Sequence, residues 1–215
     1  MKKVLVTGFE PFGGEEINPS YEAVQKLNEY KGNDYELYTA EIPTVFHKSL
    51  EKIGNLLDDI KPDITICVGQ AGGRSDISLE RIAINIDDAR IGDNEKNEPI
   101  DQKIVPEGKN AYFSSLPIKA IVRELRSYNI PASVSNSAGT FVCNHVMYGL
   151  LHFIDNNYPE MRGGFIHVPY IPEQVLDKKG KPSMSLVNIT EALKVAVKTS
   201  IEYDQDIKLS EGTIS

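Results

Sequence analysis

One cysteine of this sequence has a position that suits a nucleophile. The segment SAGTFVCNHVMYGLL places Cys143 after small, turn-forming residues and before an amphipathic run, which predicts a helix that begins close to Cys143. Unpaired backbone N–H groups and the positive end of the helix dipole stabilise a thiolate there, and the same N–H groups can hold a developing oxyanion. The alternative is that Cys143 is a small buried apolar residue, as free cysteines usually are.

A thiol nucleophile needs a base, and the sequence offers His47, His145, His152 and His167. His145 is two residues from Cys143, a spacing that points the two side chains to different faces of a helix. His152 lies in the third helical turn, and His47 is expected at the surface or in the core with its hydrogen bonds satisfied. His167 lies at the end of a predicted strand in GGFIHVP, and the carboxyl ends of strands are where α/β proteins usually have their binding and active sites. His167 is therefore the candidate base, with a core histidine as the alternative.

Glu80 is the candidate acidic partner. Strand alternation in SLERIAINI predicts that it shares an apolar face with three isoleucines, Ile82, Ile84 and Ile86. A carboxylate on an apolar face is costly unless it is paired. Glu80 could pair with Arg74 or Arg90, or it could orient a histidine and stabilise its imidazolium form, as the acid of a catalytic triad does.

Other motifs give weak signals for phosphate or metal binding. The loop GFEPFGG after the first strand lacks both the Lys-Ser/Thr pair of a P-loop and the spacing of GxGxxG. The histidines and cysteines are not at metal-ligand spacing. Asp87 and Asp88 could pair for metal or acid–base work, but a solvated strand end explains them better. We therefore expect neither a metal nor a cofactor.

The elements that must position these side chains alternate along the chain. Apolar strand patterns occur at 4–6, 36–42, 63–68, 78–86, 132–135 and 164–168. Helical patterns separate them, which is typical of an α/β protein. Residues 92–110 are polar and predict a long surface loop. Because no interior linker divides the sequence, we expect one domain over residues 1–215.

Charge and composition exclude several classes of partner. The sequence has 23 Lys+Arg against 31 Asp+Glu, a net charge of −8, which argues against nucleic-acid binding. No apolar run is long enough to span a bilayer, and the N-terminus lacks the apolar segment of a signal peptide. Two cysteines, Cys67 and Cys143, do not make a disulfide framework in a chain of this length. We expect a cytoplasmic protein with reduced thiols.

Four segments together carry a family resemblance. They are VTGFEPFGG with Asn18-Pro19, VGQAGGR leading to Glu80-Arg81, SNSAGTFVCN, and FIHVP, in this order over nearly the whole chain. The sequence resembles the pyroglutamyl peptidase I family, also called pyrrolidone-carboxylate peptidases. This resemblance implies a cytoplasmic cysteine peptidase with an α/β/α sandwich fold, whose central sheet is twisted and mostly parallel. It also implies removal of N-terminal pyroglutamyl residues from peptides, and a homotetramer.

The resemblance assigns roles to individual residues. It implies that Cys143 is the nucleophile, His167 the base and Glu80 the acid, and that Arg90 stabilises the oxyanion beside the backbone N–H of Cys143. It implies a lactam pocket lined by six residues, Phe12, Asn18, Gln70, Ile91, Phe141 and Val142. Two alternatives stay open: a thiol amidase or esterase that acts on another small amide, and a non-catalytic module that binds a small acidic ligand or nucleotide.

Overall fold

The computed structural model describes residues 1–30 and 34–212. Its strands are β1 (Lys2–Phe9), β2 (Tyr35–Ile42), β3 (Ile64–Gln70), β4 (Ile77–Glu80), β5 (Ile82–Ile84), β6 (Ala111–Phe113), β7 (Ala132–Ser135) and β8 (Arg162–Val168). Its α-helices are α1 (Pro19–Lys26), α2 (Lys48–Ile60), α3 (Ile118–Ser127), α4 (Val142–Asn157) and α5 (Leu186–Glu202). Short 3-10 helices lie at Leu27–Glu29 and Pro172–Val175.

Six strands form the central sheet, in the order β2-β1-β3-β8-β4-β7. All neighbouring strands are parallel except β4 and β8, which pair in the antiparallel direction. Alternation along β1 sends Val4 and Val6 into one core and Leu5 into the other, because successive side chains point to opposite faces of a strand. A sheet that is apolar on both faces needs a helical layer on each side.

Helices supply those two layers. One core lies between the sheet and α1, α3 and α5, and includes Val24, Ile121 and Leu193. The other lies between the sheet and α2 and α4, and includes Leu57 and Val146. The predicted α/β/α sandwich with a mostly parallel central sheet is therefore confirmed.

The strand predicted at 78–86 does not exist as one element. It breaks at Arg81, whose backbone N–H donates to Ser135 O while its carbonyl accepts from Ser114 N. The chain then leaves the central sheet, and β5 pairs with β6 in a separate two-stranded sheet. The prediction that Glu80 shares a face with the isoleucines at 82, 84 and 86 was wrong, since Ile84 is 36% exposed and lies outside the central sheet. Glu80 is buried because it ends a strand of the main sheet.

The loop predicted at 92–110 is mostly irregular, but it is not wholly a surface loop. Asp93 and Ile104 are buried. The Asp93 carboxylate accepts hydrogen bonds from the backbone N–H groups of Phe46, Glu95 and Asn97. These bonds tie the loop to the chain just before α2. The short strand β6, which follows the loop, was missed by the sequence prediction.

Candidate active site

Cys143 is the second residue of α4, as the sequence predicted. Phe141 is the N-cap residue of α4 and has an extended backbone. The small residues before it connect the end of β7 to this helix. The thiol packs above Gly69, near the carboxyl end of β3. A Cβ added to Gly69 would lie 3.0 Å from the Cys143 Sγ and 2.7 Å from Cζ of Phe165. The absence of a side chain at Gly69 therefore makes the space that the thiol occupies.

His167 lies in the same row of the sheet as Gly69, because these two residues are register partners in β3 and β8. Its other register partner is Ser78 of β4, so Glu80 is its diagonal neighbour on the same face. The His167 Nδ1 lies 2.7 Å from Oε1 of Glu80, and both side chains are buried. The antiparallel direction of β4 beside β8 was not predicted by the sequence pattern.

Arg74 completes this cluster. Its Nη1 donates to the same oxygen, Oε1 of Glu80, at 2.6 Å, and its Nη2 donates to Ser137 O at 3.3 Å. The sequence left open whether Glu80 pairs with an arginine or orients a histidine, and in the structure it does both. Arg74 thereby connects β4 to the loop that precedes Cys143.

The electrostatic surroundings keep Glu80 ionised and His167 neutral. Burial disfavours the Glu80 carboxylate, but its hydrogen bond and charge interaction with His167, together with the charge of Arg74, outweigh burial and lower its pKa. Burial lowers the pKa of His167 by more than the bond to Glu80 raises it. Since Glu80 is a carboxylate, Nδ1 of His167 carries the proton and donates it, which leaves Nε2 as an acceptor.

The thiol of Cys143 is protonated at rest. Burial raises its pKa to about 12, the Glu80 charge adds to the rise, and Arg74 opposes it. The stabilisation of a thiolate that the sequence suggested for a helix N-terminus is thus opposed by burial of the thiol. A thiol with a raised pKa becomes a strong nucleophile only when a base removes its proton.

A small cavity of about 120 Å³ adjoins the thiol. It is lined by nine residues, Phe9, Phe12, Ile17, Asn18, Thr44, Gln70, Phe141, Val142 and Cys143. Five of the six residues predicted for the lactam pocket are among them. The volume equals roughly that of four liquid waters, so the cavity suits a small ring.

Aromatic packing and a helix cap shape this cavity. The Phe141 ring lies 5.3 Å from that of Phe12 and 5.2 Å, edge-on, from that of Phe46. Asn18 caps α1 as predicted: its Oδ1 accepts from Ser20 N at 3.1 Å, while its Nδ2 donates to Glu10 O at 2.9 Å. Asn18 thus holds the loop after β1 against the helix, and this places the cavity wall.

Arg90 and Ile91 are not among the residues that line the cavity. Both are exposed, and within residues 1–30 and 34–212 Arg90 makes no hydrogen bond or ion pair. The chain just before them is nevertheless tied to the segment that precedes Cys143. Asp88 N donates to Thr140 O, and the Thr140 hydroxyl donates back to Asp88 O. The predicted roles of Arg90 and Ile91 stay predictions.

The other candidate residues make hydrogen bonds within the protein rather than at the cavity. His145 is buried, with Nδ1 at 2.8 Å from Oδ2 of Asp87, and its Nε2 accepts from His47 N at 3.0 Å. The expectation that Asp87 is a solvated strand end was wrong, because burial against His145 gives its carboxylate a partner. His152 hydrogen-bonds the Tyr112 hydroxyl, far along α4. None of the histidines at 47, 145 and 152 lines the cavity.

Sequence reasoning missed four residues at the site. Phe9, Ile17 and Thr44 line the cavity, and Gln174 hydrogen-bonds Gln70. Phe9 could have been found, because it belongs to the same GFEPFGG motif as Phe12. Gln174 has no local signal, because it reaches the site from a 3-10 helix after β8.

Comparison with known proteins agrees with the geometry. The profile of the pyroglutamyl peptidase family matches residues 2–203. A pyrrolidone-carboxylate peptidase of Clostridium botulinum is 60% identical over 212 residues, which cover 99% of each chain. This protein belongs to the pyroglutamyl peptidase family.

Solved structures support the family assignment. The crystal structure of Bacillus amyloliquefaciens pyroglutamyl peptidase I superposes with a TM-score of 0.94 at 53% identity, covering 96% of this chain and 100% of that one. The pyrrolidone carboxyl peptidase of Thermococcus litoralis gives a TM-score of 0.94 at 42% identity, covering 98% and 100%. Family membership makes the chain a cysteine peptidase.

Two further structural findings concern membranes and metals. No helix among the described residues has the length and apolar character that a membrane crossing needs. In the same part of the chain, no group of three or more His, Cys, Asp or Glu side chains is arranged to hold a metal ion.

Proposed function

We propose that this protein is a cysteine exopeptidase that removes N-terminal pyroglutamyl residues from peptides, with Cys143 as nucleophile, His167 as base and Glu80 as orienting acid. The observation that carries this proposal is the buried Glu80–His167 pair, because His167 lies in one sheet row with Gly69, over which the thiol packs. The small cavity that adjoins the thiol gives the acyl group a place.

Acylation begins with proton transfer. The thiol of Cys143 gives its proton to Nε2 of His167, and Sγ attacks the carbonyl carbon of the bond after pyroglutamate. Glu80 stabilises the imidazolium that forms. The C–N bond then breaks, His167 protonates the leaving amine, and the pyroglutamyl group remains as a thioester on Cys143.

Deacylation uses the same groups in reverse. His167 takes a proton from a water molecule, which attacks the thioester carbonyl. Collapse of this second tetrahedral intermediate releases pyroglutamate, and the proton on His167 returns to the Cys143 sulfur. We propose that the backbone N–H of Cys143 and the Arg90 guanidinium stabilise the oxyanion in both steps. The exposure of Arg90 implies that its side chain must turn towards the thiol when substrate binds.

The cavity explains the preference for a blocked N-terminus. Its lining side chains, apart from the Cys143 thiol, are apolar or neutral and polar, so they offer no carboxylate to a cationic α-amine. A pyroglutamyl group is uncharged and carries one ring N–H and one ring carbonyl. Asn18, Thr44 and Gln70 supply polar groups at the cavity wall. A site built this way binds a substrate less well when its N-terminal residue is charged or has a different arrangement of hydrogen-bond donors and acceptors.

The test is release of a chromophore from a pyroglutamyl amide, beside the prolyl and glutamyl analogues. Wild type should cleave the pyroglutamyl amide alone, and Cys143→Ala should lose at least about a thousandfold in kcat while remaining folded. Cys67→Ala is the matched control, since that thiol is buried in β3 and does not line the cavity. Cleavage of other small amides would indicate a broader thiol amidase. Ligand binding without any turnover by reduced wild type would indicate a binding module and refute the peptidase.

We further propose, from the family resemblance, that the protein is cytoplasmic and assembles as a homotetramer. An apolar surface on the small sheet supports self-association, because Phe113 is 68% and Ile84 36% exposed there. Light scattering at several protein concentrations would give the mass of the assembly. A monomer at all concentrations would contradict the tetramer and leave the proposed peptidase activity standing.

A further inference from the structure

Gln174 lies behind the cavity wall and has an amide orientation that its neighbours determine. It belongs to the 3-10 helix Pro172–Val175 and is 6% exposed. Its Oε1 accepts from the backbone N–H of Ile171 at 3.2 Å. Because a backbone N–H can only donate, the oxygen of Gln174 must face Ile171, and its NH₂ group must face the other way.

The surroundings of that NH₂ group agree with this orientation. Nε2 of Gln174 lies 3.4 Å from Ile17 O and 3.3 Å from Oε2 of Glu15, both of which are acceptors. Lys178 holds Glu15 through its Oε1 at 2.6 Å and donates to Gln174 O at 2.6 Å. The amide therefore cannot rotate without setting its oxygen against two other acceptors.

The third partner of Nε2 is Oε1 of Gln70, at 2.9 Å. Since Gln174 presents a donor, Gln70 must present its oxygen, and the NH₂ group of Gln70 is directed elsewhere. Among the described residues this NH₂ group has no acceptor, and Gln70 lines the cavity beside the Cys143 thiol. The chain of contacts from Ile171 through Gln174 thus sets the polarity of Gln70.

We propose that Gln174 is a positioning residue for substrate specificity: it holds the Gln70 side chain as a hydrogen-bond donor to a carbonyl oxygen of the ligand ring. This inference rests on the proposed function for the identity of the ring, a five-membered lactam. It assigns the Gln70 amide to the ring carbonyl and leaves the ring N–H to an acceptor elsewhere in the wall. A ring without that carbonyl leaves the Gln70 donor unpaired.

Gln174→Glu inverts this polarity. The new carboxylate keeps an acceptor for Ile171 N, but its second oxygen faces Gln70, which must then turn its NH₂ group away from the cavity. Gln174→Met removes the constraint without inverting it. Gln25→Glu, on the exposed face of α1, is the control for the same chemical change.

The experiment measures binding, so that it does not depend on turnover. Dissociation constants for 2-pyrrolidone and for pyrrolidine-2-thione, an isostere with a weaker acceptor, are measured by NMR titration on folded protein of each variant. We expect Gln174→Glu to weaken 2-pyrrolidone binding about tenfold, as for one lost hydrogen bond, and to weaken the thione less. Gln174→Met should fall between this variant and wild type, and Gln25→Glu should match wild type.

Several results would overturn the inference. The first is an unchanged affinity for 2-pyrrolidone in either folded Gln174 variant. The second is an equal loss of affinity for 2-pyrrolidone and for the thione. The third is a wild-type protein that does not bind 2-pyrrolidone. If Gln174→Glu does not fold, the comparison of the two ligands on Gln174→Met decides. Failure of the proposed function is a separate result, because it would appear as wild type that binds the lactam yet does not cleave a pyroglutamyl amide.

Discussion

Glu80 accepts two hydrogen bonds on a single oxygen, from Nδ1 of His167 at 2.7 Å and from Nη1 of Arg74 at 2.6 Å. Its other oxygen is buried and has no partner among residues 1–30 and 34–212. The hydrogen bond to His167 and its charge lower the pKa of this carboxyl most, and the Arg74 charge lowers it further. Arg74 also lowers the pKa of His167 through its charge, although burial is the larger cause. At the residue scale, Arg74 is thus expected to affect the protonation of both partners.

Replacing Arg74 should shift the pH dependence of catalysis. In Arg74→Met the pKa of His167 and that of Glu80 both rise, because the nearby positive charge is gone. The acid limb of kcat/KM, where His167 becomes protonated and stops acting as a base, should move to higher pH, and Arg74→Lys should restore it in part. The measurement is a pH–rate profile, with Arg126→Met, at an exposed position of α3, as the control. A uniform loss of rate with an unmoved limb would mean that Arg74 is only structural.

At the scale of elements, Gly69 is the point where strand and helix meet. Its partners in space are the Phe165 ring of β8 and the Cys143 thiol of α4, both too close for a methyl group. The requirement is steric, because Gly69 lies inside β3 and its backbone is that of an ordinary strand. A glycine here lets the Cys143 thiol pack over the sheet row that carries His167.

Gly69→Ala should damage the site more than the fold. The added methyl group would push Sγ and the Phe165 ring apart, at a cost in unfolding free energy of about 1–3 kcal/mol. A displacement of the thiol near 1 Å should lower kcat by about a hundredfold. The control for kinetics and thermal melts is Gly54→Ala, whose new Cβ would lie 3.9 Å from the Phe153 ring. Higher helix propensity should raise the unfolding free energy of this control by about 0.5–1 kcal/mol. Full activity in Gly69→Ala would contradict the proposed packing of the nucleophile.

At the scale of the whole molecule, burial of the Glu80–His167 pair couples the site to the stability of the fold. The folded-state pKa of His167 lies below its ordinary value of 6.5, and that of Glu80 below 4.5. For both groups the unfolded chain binds protons more readily than the folded one. Their contribution to stability is therefore present above the ordinary pKa and is lost as the pH falls towards the folded pKa.

Stability should accordingly fall in acid in two stages. The loss begins near pH 6.5 as His167 becomes protonated in the unfolded state, and it continues below about pH 4.5 through Glu80. Urea unfolding midpoints measured across this range should show a smaller pH dependence in His167→Asn between pH 6.5 and 5, because that titration has been removed. An identical slope in wild type and variant would exclude His167 as the source.

The sequence by itself determined those parts of the protein that depend on local pattern. Alternating apolar runs and helical spacing predicted an α/β protein, and the family resemblance implied the α/β/α sandwich. The Asn18-Pro19 cap and the helix start close to Cys143 follow from local backbone chemistry. The order of motifs indicated the family and the candidate triad. His167 stood out for a local reason too, since it is close to the end of a strand.

Only the tertiary structure decided how these parts meet. The register of β4 against β8, which makes Glu80 the diagonal neighbour of His167, depends on chain connections that local periodicity does not encode. The raised pKa of the Cys143 thiol follows from burial and from the Glu80 charge, both of which depend on distant parts of the chain. Gln174 reaches Gln70 across 104 positions of sequence. Hydrogen bonding, burial and charge act through space, so spacing along the chain predicted which residues are reactive but not the contacts that control them.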